Sequence, residues 1–198
     1  MTIKDLGTRI ETVWQGLRPM TRKMIERALQ EASGKILPTP STKFAYDTQS
    51  DWELSRLLSA LDEQIADPRY SKDASKLKEL DQMADACSAL LEDGTGSAEA
   101  FIQLADRLLK RGDFARFDRL SNILGERFSA GEIAEIIRQE PLPQTRAVAY
   151  ETLALLPPVA LVNLLDDPLY ESIAHTALEK QAFEFGNDEA RMILDNIF

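Results

Sequence analysis

The sequence holds one histidine, His175, and one cysteine, Cys87. On a helix, Glu171, His175 and Glu179 fall at i−4, i and i+4 along one ridge. Such a row orients an imidazole or holds a cation. A catalytic metal site takes three protein ligands with outer support, and the chain has no second histidine, so a surface ion pair is expected. His175 is the natural general base if the protein is an enzyme. Cys87 sits on an apolar stripe between Ala84 and Leu91, with Asp85 close by. A reactive thiolate needs a cationic, accessible setting, so Cys87 is expected as a buried small hydrophobe. Asp93-Gly94-Thr95-Gly96-Ser97 contains Gly-x-Gly before a helical pattern. It follows a helix rather than a strand and lacks the Lys-Ser/Thr of a phosphate loop, which makes it an inter-helix turn. Asp166 and Asp167 precede Pro168 and read as helix-capping acids. Arg107, Lys110, Arg111, Arg116, Arg119 and Arg127 are interleaved with Asp106, Asp113, Asp118 and Glu126. Surface ion pairing is the expectation there, and a phosphate-facing patch the alternative. No residue is assigned to catalysis, to a cofactor or to a metal.

The charge pattern bounds the partners. The net charge is −10 over 198 residues, the wrong sign for general binding to nucleic-acid backbones. Residues 1–46 carry eight basic groups against four acids, a balance of +4 that leaves −14 for the rest. Residues 128–198 carry four basic groups against twelve acids, a balance of −8. No apolar run reaches the roughly 18 residues of a membrane span, and the first residues show no signal-peptide pattern. A lone cysteine fits a reducing compartment, so the expected location is cytoplasmic.

Helical periodicity runs through almost the whole chain. Ile3, Leu6, Ile10, Val13, Trp14 and Leu17 form one stripe, capped by Thr2, and Pro19 opens a second helix ending at Ser33-Gly34. These read as a helical hairpin. Residues 33–50 contain Pro38 and Pro40 and form the one long irregular stretch, with Ile36, Leu37, Phe44 and Tyr46 suited to packing on the body or docking to a partner. Ser50-Asp51-Trp52-Glu53 has the form of a capping box ahead of the Leu54, Leu57, Leu58, Leu61 stripe. Further helices are marked by Leu77 to Leu91, by Phe101 to Leu109 and by Phe114 to Leu124.

Toward the C-terminus a repeat emerges. Leading helices start near Asp113, Pro143 and Pro168, and shorter ones near Ser129, Pro158 and Asn187. Arg146–Leu153 sits 25 residues before Glu171–Leu178, pairing Ala149 with Ala174 and Leu153 with Leu178. A small residue one turn before a Leu lets neighbouring helices approach closely. Helical pairs of this kind bury their stripes by stacking. The Arg-x-x-Ala-x-x-x-Leu register at 146–153, Leu164-Leu165-Asp166-Asp167-Pro168 and Gly186-Asn187-Asp188-Glu189-Ala190-Arg191 resemble HEAT-like repeats. That resemblance covers residues 113–198 and implies a short α-solenoid. Some HEAT-like proteins are DNA glycosylases with a basic concave face, and others are bilin-lyase-like, whereas Glu132, Glu135, Asp188, Glu189 and Asp195 make the shorter helices of this chain acidic.

The expected protein is all-α: a short HEAT-like solenoid of stacked helical pairs with an N-terminal helical hairpin. The expected divisions are 1–50, 51–112 and 113–198, within one continuous domain. The expected function is a non-enzymatic protein-binding or adaptor module, needing no cofactor, with a basic protein as partner. Glu132, Glu135, Asp188 and Asp195 are the expected acidic contacts, and Trp52 and Phe44 the aromatic anchors. The alternatives are an enzyme of HEAT-like glycosylase or lyase type, or an acidic neutraliser or chaperone of a basic protein. Homo-oligomerisation through the basic hairpin and an acidic end is a further option.

Overall fold

The computed structural model describes residues 6–34, 46–70 and 73–196. Among the described residues all regular structure is helical and no strand occurs. The chain forms two compact units, Met1–Thr95 and Gly96–Phe198.

The N-terminal unit holds α1 (Thr8–Gly16), α2 (Pro19–Ala32), α3 (Thr48–Ala66) and α4 (Ala74–Gly94). Its centre is the pairing of α3 with α4, against which α1 packs through α3 and α2 through α4. Ile10, Ile25, Leu54, Leu57, Leu61, Leu80 and Leu91 are fully buried there. The first helix starts later than its apolar stripe implies. Gly7 has φ +122°, outside the helical region, so Leu6 is buried in the core without being part of α1. Thr2, the expected cap, lies outside the described residues. Pro19 opens α2 at its first turn, where a missing N–H costs nothing.

The third helix starts one turn ahead of the expected capping box. Asp47 is the true cap, accepting from Ser50 N–H at 2.8 Å. Ser50, Asp51 and Glu53 are consequently inside the helix and buried. Burying Glu53 serves a tertiary purpose. Its carboxylate accepts the Arg18 backbone N–H at 2.9 Å, the Arg18 Nε–H at 3.2 Å and the Thr21 hydroxyl. The Arg18 guanidinium meanwhile donates to both oxygens of Asp47, at 2.7 and 2.9 Å. The α1–α2 turn is thereby fastened to the first two turns of α3. Arg18 holds the Asp47 carboxyl well below the usual range. Burial pushes the Glu53 carboxyl up, but the Thr21 hydroxyl and the Arg18 donors outweigh it and keep the group below its ordinary value.

The C-terminal unit holds α5 (Ala98–Arg111), α6 (Phe114–Asn122), α7 (Leu124–Arg127), α8 (Ala130–Gln139) and α9 (Pro143–Leu155). A 3-10 turn at Pro158–Leu161 follows, then α10 (Val162–Leu165), α11 (Glu171–Glu179), a π-helical turn at Lys180–Glu184 and α12 (Asp188–Asp195). Side chains cap α5, α6, α8 and α12 through Ser97, Asp113, Ser129 and Asn187. Helix α8 packs on α5 and α9, α10 on α11, and α12 on α11 and on both irregular turns. Ala149, Leu153, Ala174 and Leu178 are all fully buried. Phe101 and Phe128 meet edge to face, with centroids 5.6 Å apart. Pro168 does not open α11. The Asp167 side chain accepts from Leu169 N–H at 2.9 Å, and its carbonyl accepts from Tyr170 and Glu171. This turn delays the helix to Glu171.

Candidate functional site

The reactive residue types do not converge. His175 lies on α11 with Nδ1 3.5 Å from Glu179 Oε1, an ion pair only when the imidazole is protonated. Cys87 is in the core of the N-terminal unit, and burial alone pushes its thiol up to about 12. It is therefore a neutral, inaccessible thiol at physiological pH. Thr95 is the C-cap of α4 and Ser97 the N-cap of α5, so the Gly-x-Gly segment is an inter-helix turn. Arg107, Arg111 and Arg116 do come together. Burial, and then the two neighbouring guanidinium groups, bring Arg107 down to about 10. No helix among the described residues is long and apolar enough to cross a membrane.

The residues expected to contact a partner occupy separate places. Glu132 and Glu135 are on α8, Asp188 and Asp195 on α12, and Trp52 on α3. Phe44 lies outside the described residues. Glu132 accepts the Ala98 N–H at 2.6 Å, at the start of α5. Glu135 accepts from Tyr170 Oη at 2.8 Å and from Arg138 Nε at 2.6 Å. Arg138, with Gln139 and Tyr170 behind it, outweighs burial and brings the Glu135 carboxyl down to about 2. Both carboxylates thus join elements within the unit. Asp188 and Asp195 are exposed, Asp188 pairing with Arg191 of its own helix at 3.1 Å. Trp52 is 54% exposed, and the Arg56 guanidinium lies over its ring.

The structure leaves large apolar side chains exposed that helical periodicity did not isolate. In the C-terminal unit Leu155, Val159, Phe183 and Met192 are 61–73% exposed, and Phe185 is 49% exposed. They are carried by segments that bind one another. Leu155 ends α9 and Val159 follows on the 3-10 turn. Gln181 Nε2 donates to the Ala154 and Leu156 carbonyls at 3.1 and 2.8 Å, tying the π-helical turn to the end of α9. Met192 lies on α12, which packs on both turns. Lys180 reaches Glu151 at 2.5 Å and lies over the Phe185 ring. Leu155 also walls an open groove of about 570 Å³ between α6 and α9, together with Asp118, Asn122, Val148 and Glu151.

Fold and surface together define an all-helical protein of two compact units, the second bearing exposed apolar side chains in an acidic setting. Comparison with family models, with curated proteins and with solved structures finds no match to this chain.

Proposed function

We propose that this protein is a non-enzymatic protein-binding or adaptor module of the cytoplasm. Residues 113–198, within its C-terminal unit, form a short HEAT-like solenoid, and its partner presents a basic amphipathic segment. The observation that carries this reading is the exposed apolar set Leu155, Val159, Phe183 and Met192 on mutually packed segments. Large apolar side chains left exposed on packed segments favour burial by a partner. The balance of −8 over residues 128–198 selects the charge of that partner and steers its approach. The solenoid reading is supported by the burial of Ala149 with Leu153 and of Ala174 with Leu178, 25 residues apart. It is also supported by packing that runs mainly between elements close in sequence from α8 to α12. A chain whose one cysteine, Cys87, is buried and has no second cysteine to pair with suits a reducing location.

The test is site-directed photo-cross-linking from positions 155, 183 and 192 of the full chain in native lysate, with the linked peptide identified by mass spectrometry. The expected product is a peptide with a basic amphipathic pattern. The yield from position 155 should fall by about tenfold or more in the Phe183→Asp/Met192→Asp variant and be lowered by salt. A linked acidic peptide, a second copy of this chain, or no product above that from exposed Lys78 would each overturn the proposal.

A further inference from the structure

The N-terminal unit carries a second surface of opposite character. A groove of about 330 Å³ between α1 and α3 is walled by Arg9, Thr12 and Val13 on one side and by Arg56, Ser59 and Ala60 on the other. Its size falls within the range of small-ligand pockets. Helical spacing builds it: Arg9 and Thr12 or Val13 share a face of α1, and Trp52, Arg56, Ser59 and Glu63 recur at intervals of four, three and four along α3. Val13 and Ala60 are buried, whereas both arginines and both hydroxyl residues are exposed. The groove therefore has an apolar floor and a rim of donors.

The two guanidinium groups are differently committed. Arg9 donates to Glu63, with Nη2 2.9 Å from Oε1, across a pair in which both side chains are more than half exposed. A pair of that kind contributes little and exchanges readily with another anion. Arg56 lies with Cζ 5.2 Å from the centroid of the Trp52 ring. No carboxylate among the described residues pairs with it. A guanidinium that interacts with a ring through its charge still has five N–H donors to offer an anion. Guanidinium groups from two facing helices, Arg9 by exchange from Glu63 and Arg56 directly, suit the several oxygens of a dianionic phosphate. Trp52 does not line the groove itself but is exposed one turn before Arg56 on α3, where it offers a flat apolar surface on which a ring stacks.

We propose that the α1–α3 groove binds a small phosphate monoester that carries a flat ring. Arg9 and Arg56 hold the phosphate oxygens, and the ring lies against the free surface of Trp52. Thr12 already donates its hydroxyl to the Thr8 carbonyl at 2.9 Å, so the arginines supply the recognition. Glu63 competes with the ligand for Arg9. This site is in the N-terminal unit and is independent of the protein-binding reading.

Adenosine monophosphate, inorganic phosphate and adenosine are the probes. Trp14 and Trp52 are the two tryptophans of the chain, so a Trp14→Phe background isolates emission from Trp52. The nucleotide should give a saturable emission change. Inorganic phosphate, read by competition, and adenosine should each bind at least about tenfold more weakly. Arg9→Ala and Arg56→Ala should each weaken nucleotide binding by about tenfold or more with unchanged far-ultraviolet circular dichroism. Glu63→Gln should tighten it, because Arg9 is released, and Lys78→Ala should leave it unchanged. Three results would overturn the proposal: no saturable change with the nucleotide, adenosine or free phosphate binding as tightly as the nucleotide, or full affinity in a folded Arg56→Ala protein. If an arginine variant does not fold, Glu63→Gln decides the matter, and unchanged or weaker binding in it refutes the arrangement.

Discussion

Replacing Glu53 by alanine should unfold the N-terminal unit far more readily than any surface change. The side chain is 2% exposed and accepts three hydrogen bonds, two from Arg18 and one from Thr21. Its removal leaves the fully buried Thr21 hydroxyl and the Arg18 backbone N–H without an acceptor. Each such orphan costs about 1–3 kcal/mol. The Arg18 charge is not stranded, because Asp47 still accepts both Nη donors. That places the total near the lower end of the roughly 3–5 kcal/mol typical of breaking a buried ion pair. A loss of about 3 kcal/mol corresponds to a fall of about 12–24 °C in the midpoint of a unit of this size. Both tryptophans belong to this unit, so tryptophan emission during urea or thermal unfolding reports on it selectively. Glu53→Gln separates charge from shape. The native carboxyl is held below its ordinary value of 4.5, so its contribution is present above that pH and is lost as pH falls through the lower folded value. The gap between the native protein and Glu53→Gln should therefore be full at neutral pH and narrow in acid. A loss below about 1 kcal/mol in Glu53→Ala would refute the anchoring argument.

Two further substitutions test the packing in each unit. Glu140 is 2% exposed, with Oε1 accepting Leu142 N–H at 2.7 Å and Oε2 unpartnered. Burial, and then the Asp106 charge, raise its carboxyl, so its ionisation should erode stability as pH climbs from the ordinary value through the folded one. Glu140→Gln should remove that slope in chemical denaturation and be no less stable than the native protein at pH 7; a clear loss there would contradict the reading. A Cβ built on Gly94 would stand 2.6 Å from Tyr46 Cγ and closer still to two other ring atoms. Gly94→Ala should thus cost about 1–3 kcal/mol by overpacking, with little helix-propensity gain to offset it because Gly94 is the last residue of α4. The Tyr46 bond to Asp51, at 2.6 Å, would be disturbed as well. Adding Tyr46→Ala should abolish the penalty of the glycine change in a double-mutant cycle, and additivity there would show that the ring is not the obstacle.

Helix existence was legible because apolar spacing and capping chemistry agreed in the same segments. In α8, the Ser129 cap and the buried Ile133, Ile136 and Ile137 lie where the pattern puts them. Boundaries were less legible where two caps competed or a backbone conformation intervened. Asp47 stands one turn ahead of Ser50 and takes the start of α3, and a positive φ at Gly7 shortens α1. The roles of acidic side chains were the least legible. Glu132 and Glu135 look like solvated charges on a short helix, yet they bond partners 34 and 35 residues away in the chain. Nothing local marks such a pairing. The apolar surface was missed for a related reason. Assigning one stripe to each helix leaves no place for α9, which carries Ala147, Val148, Leu153, Ala154 and Leu155 around its circumference while burying only part of them.

The buried cluster in the N-terminal unit also bears on its groove. Arg18 follows α1 by two residues, and Glu53 lies one turn before Arg56 on α3. The bonds between Arg18 and Glu53 therefore fix the C-terminal end of α1 against the same stretch of α3 that presents Trp52 and Arg56. Arg9 sits at the other end of α1, where Glu63 tethers it two turns further along α3. The groove is thus held at one end by a buried, fully bonded carboxylate and at the other by an exposed, exchangeable pair. A ligand that displaces Glu63 acts at the weakly held end while the separation of the helices is kept by the strongly held one. Glu53 is in this sense a positioning residue for a surface it never touches.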